Sequence, residues 1–213
     1  MTPFKPACRN TTTNAFWARA IVFALLFCAT AVQAQASNPA AQPVPAPIAT
    51  SHAGSEAALA YPRIQGVGGV LAVDAKADMP STTAMHRLLI DISDDATTPA
   101  GINTRLEMAA RVLNLYAAAG VPDAKVRMAI LLHGKATILA LSDAVYARKF
   151  RHPHPDAELI AQLRAAGVEL FVCGQALGHQ GFTAADVRPE VRLALSAATK
   201  REELQAAGYA MVP

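Results

Sequence analysis

The sequence has little cysteine, with three in 213 residues. Cys8 and Cys28 fall within the first 36 residues, so Cys173 is the only cysteine of residues 37–213. A lone cysteine cannot form an intramolecular disulfide, which is the usual structural use of cysteine in an oxidising compartment. The scarcity therefore excludes a disulfide-stapled fold and leaves two interpretations of Cys173: a functional thiol, or a small buried apolar side chain.

Excess charge is also missing once the first 36 residues are set aside. The whole chain has 19 Lys and Arg against 16 Asp and Glu. Residues 1–36 contain Lys5, Arg9 and Arg19 and no acidic residue, so 16 basic and 16 acidic side chains remain. A segment without surplus positive charge is not expected to bind nucleic acid or an anionic membrane surface.

Residues 1–36 have the layout of a secretory signal peptide. Their basic start precedes an apolar stretch at residues 20–32, and small residues that suit cleavage follow at Ala34 and Ala36. Phe27 makes Cys28 a poor match to a lipoprotein cleavage site. No later apolar run is long enough for a transmembrane helix. We therefore predict a periplasmic or secreted protein whose mature form has no membrane segment.

Three further segments follow the predicted signal peptide. Residues 37–60 are rich in Ala, Pro and Ser without periodicity, which predicts a disordered spacer. Residues 61–85 are predicted to be an extended arm packed on the domain, with one short strand at residues 69–73. Residues 86–213 are predicted to form a single α/β domain.

Apolar runs and helical periodicity alternate from residue 86 onward. Strands are predicted at residues 86–93, 125–133, 168–173, 191–197 and 209–212. Helices are predicted at residues 101–119, 138–150 with a break at Ser142, 156–166 capped by Asp156, a turn from Thr183, and 200–207 capped by Thr199. This alternation predicts a three-layer α/β sandwich with a mostly parallel sheet of about five strands.

Residues 168–177, VELFVCGQAL, are the most informative stretch. The apolar strand ends at Cys173, and the carboxyl ends of strands are where α/β sheets place ligand crevices. Backbone amides of a following helix would favour a thiolate there. Gly174 permits close backbone approach, and Gln175 either binds a ligand or closes the loop.

His133 ends the second predicted strand, followed by Gly134, at the same sheet edge as Cys173. It either pairs with the thiolate or bonds a backbone carbonyl and holds the loop. Asp91 on the first strand either orients the histidine or caps a loop. The candidate catalytic residue is Cys173, and the candidate ligand-binding residues are His133, Gly134, Gly174 and Gln175.

Three other histidines raise the question of a metal site. His152 and His154 form a His-x-His pair in a proline-rich loop, and His179 follows Cys173. No further ligand with recognised spacing accompanies them. We therefore predict solvent-exposed loop histidines, no metal and no cofactor; the alternative is a metal-binding protein that uses them.

From about residue 86 to residue 213 the chain resembles the DsrE/DsrF-like family, small α/β proteins associated with sulfur relay and sulfur oxidation. The most specific block is VCGQAL with its preceding helix. The resemblance is carried by LLIDIS (88–93), RVLNLYAAAGVP (111–122), AILLHGKAT (129–137), ELIAQLRAAGVELFVCGQAL (158–177) and PEVRLALSAATKREELQAAGYAMVP (189–213).

The resemblance implies a parallel five-stranded sheet with helices on both faces, assembled into trimers or hexamers. It also implies that Cys173 accepts sulfur as a persulfide, with a donor or acceptor protein or a small thiol as partner. Our hypothesis is an exported homo-oligomer that binds or relays sulfur, or senses thiol redox state, through Cys173; any enzyme activity would be sulfurtransferase-like. The alternative is a non-catalytic ligand-binding or assembly module of the same fold.

Overall fold

Five parallel strands form one sheet in the computed structural model, which describes residues 58–74 and 76–213. The strands are β1 (His86–Ile92), β2 (Val126–Leu132), β3 (Glu169–Cys173), β4 (Val191–Ala194) and β5 (Ala210–Met211). Their order is β4-β3-β2-β1-β5, and every neighbouring pair is parallel. The predicted α/β sheet is confirmed. The predicted signal peptide and most of the predicted spacer lie outside the described residues.

Helices connect the strands. They are α1 (Thr104–Ala118), α2 (Asp143–Phe150), α3 (Ala157–Ala165), α4 (Gly174–His179) and α5 (Ala197–Ala206), with 3-10 segments at Asp123–Lys125, Gly134–Ala140 and Ala184–Asp186. The break predicted at Ser142 separates the second 3-10 segment from α2. Within the described ranges, no helix has the length and apolar character needed to cross a membrane.

Helix α1 begins later than the sequence pattern predicts. Gly101 occupies a left-handed turn with φ 81°, and Asn103 is the cap, its Oδ1 accepting hydrogen bonds from the first-turn amides. Asp156 precedes α3 as predicted, but its side chain makes no cap hydrogen bond there. Its Oδ1 accepts the N–H of Asn103 at 2.7 Å, so this carboxylate joins the starts of the two helices.

The predicted start of α5 is wrong by three residues. The cap is Ser196, whose Oγ accepts the N–H of Thr199 at 3.1 Å, so Thr199 lies inside the first turn. Serine and threonine are both good N-cap residues, and the pattern alone does not choose between them. Strand β4 is correspondingly shorter than predicted and ends at Ala194.

An apolar layer lies on each face of the sheet, giving the three-layer sandwich. Helices α1 and α3 cover one face, where Ile90, Ile130 and Leu132 are fully buried. Helix α5 covers the other face through Ala197 and Leu204. Because side chains alternate along a strand, odd-numbered residues of β1, β2 and β3 point toward α5. These residues include Leu89, Ala129, Leu131, Phe171 and Cys173.

Residues 61–68 run along α1 and are held by the fully buried Asn114. Its Oδ1 accepts the N–H groups of Arg63 and Ile64 at 2.9 and 2.8 Å. Its Nδ2 donates to the carbonyls of Ile64, Val67 and Gly68 at 3.0–3.1 Å. One side chain therefore satisfies five backbone groups of the segment that precedes β1.

Glycine is required where this segment crosses α1. A Cβ at Gly68, which has φ 64°, would lie 2.3 Å from the backbone nitrogen of Arg111. The strand predicted at residues 69–73 does not form. Val70 makes only an isolated antiparallel bridge with Ala60, which closes the segment into a loop instead of adding a strand to the sheet.

Candidate functional site

The register of the sheet brings Asp91, His133 and Cys173 to its carboxyl edge. Asp91 pairs with Leu131, and Leu132 pairs with Val172. His133 directly follows β2 and continues the ladder by donating its N–H to Ile92 O at 2.9 Å. It therefore stands beside Cys173 on a neighbouring strand, about 4.8 Å away between backbones. All three residues share the face covered by α5.

The Asp91 carboxylate links His133 to Arg201 on α5. Its Oδ1 lies 2.8 Å from His133 Nε2, and its Oδ2 accepts a hydrogen bond from Arg201 Nε at 2.8 Å. A second guanidinium nitrogen of Arg201 lies 2.5 Å from the same oxygen. The three side chains are 17–30% exposed, so solvent screens these contacts less than it would on an open surface.

The contact between His133 and Asp91 is close but poorly aligned. Within the described residues, Asp91 Oδ1 is buried and accepts no hydrogen bond of good geometry. The 2.8 Å approach of His133 Nε2 therefore places the ring against the carboxylate without a well-aligned hydrogen bond. Of the two roles considered for Asp91, orienting His133 agrees with this position, since the carboxylate faces the ring.

Cys173 ends β3 directly before α4. Its Sγ accepts the N–H of Ala176 at 3.4 Å, so one backbone amide of the following helix contacts the sulfur, as predicted. An amide donor favours the thiolate over the thiol. The residue is only 6% exposed and packs within the apolar layer under α5. Cys173 thus combines a hydrogen bond from the Ala176 amide to its sulfur with low solvent exposure.

Two glycines shape this edge because the chain passes close to neighbouring strand ends. A Cβ at Gly134, which has φ 53°, would lie 2.7 Å from Ser93 O. A Cβ at Gly174 would lie 2.9 Å from Ala194 O. Gln175 is exposed, and its Nε2 donates to Leu195 O at 3.4 Å, which ties α4 to the segment after β4.

His154 differs from the solvent-exposed histidine predicted from the sequence. It is 5% exposed, its Nε2 lies 3.2 Å from Leu139 O, and its Nδ1 accepts the N–H of Asp156 at 3.2 Å. Burial lowers the pKa of His154 below its usual value. The ring is therefore neutral and occupied at both nitrogens.

His152 and His179, the other two histidines considered as metal ligands, are exposed as predicted. Among residues 58–74 and 76–213, no group of three or more His, Cys, Asp or Glu side chains is arranged to hold a metal ion.

Sequence reasoning missed Arg201. It lies in a run of charged residues, KREE at 200–203, and nothing in that run distinguishes it. With α5 starting at Ala197, however, Ala197, Arg201 and Leu204 follow the i, i+4, i+7 spacing of one helix face. If the helix start had been predicted correctly, the spacing would have put Arg201 on the face of α5 that packs against the sheet.

Comparison with known proteins gives one family match. A sequence model of the DsrE/DsrF-like family matches residues 85–213. No curated protein matches the chain. Among solved structures, a protein of unknown function from Methanobacterium thermoautotrophicum is 18% identical with a TM-score of 0.39. The ychN protein from E. coli is 13% identical with a TM-score of 0.43. Each comparison covers 60% of this chain and 97% of the other.

Proposed function

Because the chain belongs to the DsrE/DsrF-like family, we propose that it is an exported sulfur-binding protein that carries sulfur as a persulfide on Cys173. The observation that supports this most is the position of Cys173 beside His133 at the carboxyl edge of the sheet. His133 in turn contacts Asp91 at 2.8 Å. A thiol, an imidazole and an orienting carboxylate are the parts that an activated sulfur nucleophile needs.

The proposed step is thiol–persulfide exchange. The Cys173 thiolate attacks the outer sulfur of a donor persulfide, and a new S–S bond forms as the donor's own S–S bond breaks. The donor leaves as a thiolate and takes up a proton. Cys173 loses its thiol proton, and the departing donor thiolate takes up one. The number of S–S bonds does not change, so no external oxidant or reductant is consumed.

His133 is proposed to move that proton. If its Nε2 carries a proton toward Asp91, its Nδ1 is an acceptor, and within the described part of the chain Nδ1 makes no hydrogen bond. Arg201 holds the other oxygen of Asp91 and so fixes the carboxylate. The Ala176 amide then stabilises negative charge on Sγ.

The burial of Cys173 restricts the donor. Cys173 is only 6% exposed, so a donor must reach a nearly buried residue. A small persulfide, or the extended end of a partner protein, reaches such a residue more easily than a flat protein surface does. The proposed partners are accordingly a small thiol or a sulfur donor or acceptor protein.

Export and self-association are further parts of the proposal. Export is supported by the basic and apolar layout of residues 1–36. Self-association is supported by β4, an edge strand that exposes Leu193 at 51%, and by Leu195 just beyond it at 74%. An exposed edge with apolar side chains is a surface that proteins commonly cover. A trimer or hexamer is the proposed assembly.

The proposal is tested by loading the purified protein with sulfur. After incubation with glutathione persulfide and removal of excess reagent, intact-mass spectrometry is expected to show one added sulfur atom on the native mature protein, residues 37–213, in which Cys173 is the only cysteine. Cys173→Ala should show none. Added sulfur in Cys173→Ala, or none in the native protein, contradicts the proposal.

A second candidate is a non-catalytic ligand-binding or assembly module. The observation that favours it is the packing of Cys173 within the apolar layer under α5. In that case Cys173→Ala keeps the oligomeric state of the native chain, and neither protein takes up sulfur. Sedimentation and the loading experiment together separate the two candidates.

A further inference from the structure

Two arginines lie side by side at the amino edge of the sheet, at the opposite end of the strands from Cys173. Arg87 of β1 is the register partner of Arg127 of β2. Leu88 pairs with Ala210, so Tyr209 stands next to Arg87 on the other side. The three residues form one row on the face toward α5.

The carboxylate nearest to this row is already engaged. Glu169 forms an ion pair with Arg192 through Oε1, and its Oε2 accepts the Tyr209 hydroxyl at 3.4 Å. Among the described residues, neither Arg87 nor Arg127 makes an ion pair or a side-chain hydrogen bond. Within the described residues, the two guanidinium groups of the row therefore have no carboxylate paired directly with them.

The charges of both arginines act on the Tyr209 hydroxyl. Burial and then the Glu169 charge raise the pKa of Tyr209, while Arg87 and Arg127 act in the opposite direction. Like charges on directly opposed strand positions destabilise a sheet. An anion between the two arginines removes that repulsion, and the planar fork of arginine suits two oxygens of one oxyanion.

The row borders a cavity of about 590 Å³. Met85 adds an apolar wall, and Gly167 leaves the opening free of a side chain. Glu169, which is engaged by Arg192 and Tyr209, also lines the cavity. A volume of this size lies within the range of small-molecule sites and exceeds what a bare phosphate or sulfate fills. The cavity thus offers oxyanion donors together with apolar contact surface.

We propose that this cavity binds a tetrahedral oxyanion group, phosphate or sulfate, carried by a small organic molecule, with Arg87 and Arg127 as its ligands. The site is separate from the cysteine. Arg127 and His133 lie at opposite ends of β2, about 20 Å apart along the strand. Occupation of the cavity therefore does not depend on sulfur transfer at Cys173.

The test is calorimetric titration of the full-length purified protein with inorganic phosphate and with glycerol 3-phosphate, at constant ionic strength set by chloride. The native protein is expected to bind glycerol 3-phosphate. Arg87→Gln and Arg127→Gln are each expected to bind about tenfold more weakly, since each loses a charge-assisted contact. Arg148→Gln, an equal charge change at a 72% exposed position on α2, should bind like the native protein.

Arg87→Lys and Arg127→Lys keep the charge and the solubility while removing the fork, and both should still bind more weakly than the native protein. Equal affinity for inorganic phosphate and glycerol 3-phosphate would show that the cavity recognises the oxyanion group alone. This result would support Arg87 and Arg127 as ligands of the oxyanion and would overturn the claim that the ligand is an organic molecule. The proposal is overturned if the native protein binds neither compound. It is also overturned if Arg87→Gln and Arg127→Gln bind as tightly as Arg148→Gln.

Discussion

The imidazole of His133 lies 2.8 Å from the carboxylate of Asp91, although the two residues are separated by a complete helix and strand. Arg201 contacts the same carboxylate from α5. One acidic side chain therefore connects β1, the end of β2 and the helix that covers this face of the sheet. Two predictions about this edge depend on that contact, one on stability and one on the thiol.

Removing the charge of Asp91 should destabilise the fold. Asp91→Asn keeps the shape of the side chain but leaves the partly buried Arg201 without its counter-charge, so we expect a loss of about 1–3 kcal/mol. Urea unfolding measures it. Asp95→Asn, at an exposed side chain that forms no ion pair among the described residues, is the control and should cost under about 0.5 kcal/mol. Equal losses in the two variants would show that the Asp91 contacts contribute no special stability.

Gly68 and Gly66 form a matched pair. Both have positive φ, 64° and 72°, but a Cβ meets a backbone atom within 3 Å only at Gly68. Gly66→Ala should therefore cost about 1–2 kcal/mol from backbone strain alone. Gly68→Ala should cost clearly more, because the segment must also move away from Arg111. Thermal unfolding distinguishes the two, and a smaller loss at Gly68 than at Gly66 would contradict the close approach.

Asn114 should hold the segment that precedes β1. Asn114→Ala leaves buried amide and carbonyl groups without partners, so we expect a loss of about 2–4 kcal/mol. Tryptic cleavage after Arg63 should also become faster. Gln162→Ala removes two exposed hydrogen bonds, one from Gln65 and one to Glu158, and is the control. Unchanged cleavage in Asn114→Ala would mean that the segment is held by other contacts.

The buried His154 predicts a loss of stability on acidification. Burial lowers its pKa in the folded state, whereas the unfolded chain protonates near pH 6.5. Stability from this group is complete above pH 6.5 and is lost as the pH falls from there toward the folded pKa. Burial raises the pKa of Asp156, which acts in the opposite sense: stability is gained as the pH falls from that raised pKa toward about 3.8.

The measurement is the free energy of unfolding between pH 8 and about pH 5.5, a range chosen around the usual histidine pKa. His154→Asn should flatten the dependence on pH, even if the variant is less stable throughout. His179→Asn, at an exposed ring that is not among the groups acting on His154, should leave the slope of the native protein unchanged. The groups that act on His154 besides burial are the Leu139 carbonyl, Arg188, Asp143 and His152. An unchanged slope in His154→Asn would show that the ring titrates normally.

Much of the fold was predictable because it depends on local pattern. The apolar runs around Ile90, Ile130 and Leu170 predict the buried central strands, and glycines such as Gly120 and Gly167 mark helix ends correctly. Errors occurred where two local signals compete. Ser196 and Thr199 are both suitable caps, and only the packed helix shows that the first of them is used.

Long-range polar contacts were not predictable in the same way. The sequence suggests Asp91 as a partner of His133 because both residues lie at the carboxyl end of a predicted strand. The contact of Asp91 with Arg201, however, spans 110 residues in sequence. Asn114 is a polar residue within a helix, and nothing local indicates that it faces a passing backbone. The pairing of Arg87 with Arg127 depends on strand register, which the sequence pattern of either strand leaves open.

The most direct test of the proposed function is the alkylation of Cys173 in the native protein as a function of pH, read by intact mass. We predict that a small reagent such as iodoacetamide modifies Cys173 in the folded protein, at a rate that follows the thiolate fraction. His133→Gln should slow the reaction near neutral pH, while His179→Gln, at an exposed histidine, should not. A thiol that reacts only after unfolding would contradict the account and identify Cys173 as a packing residue.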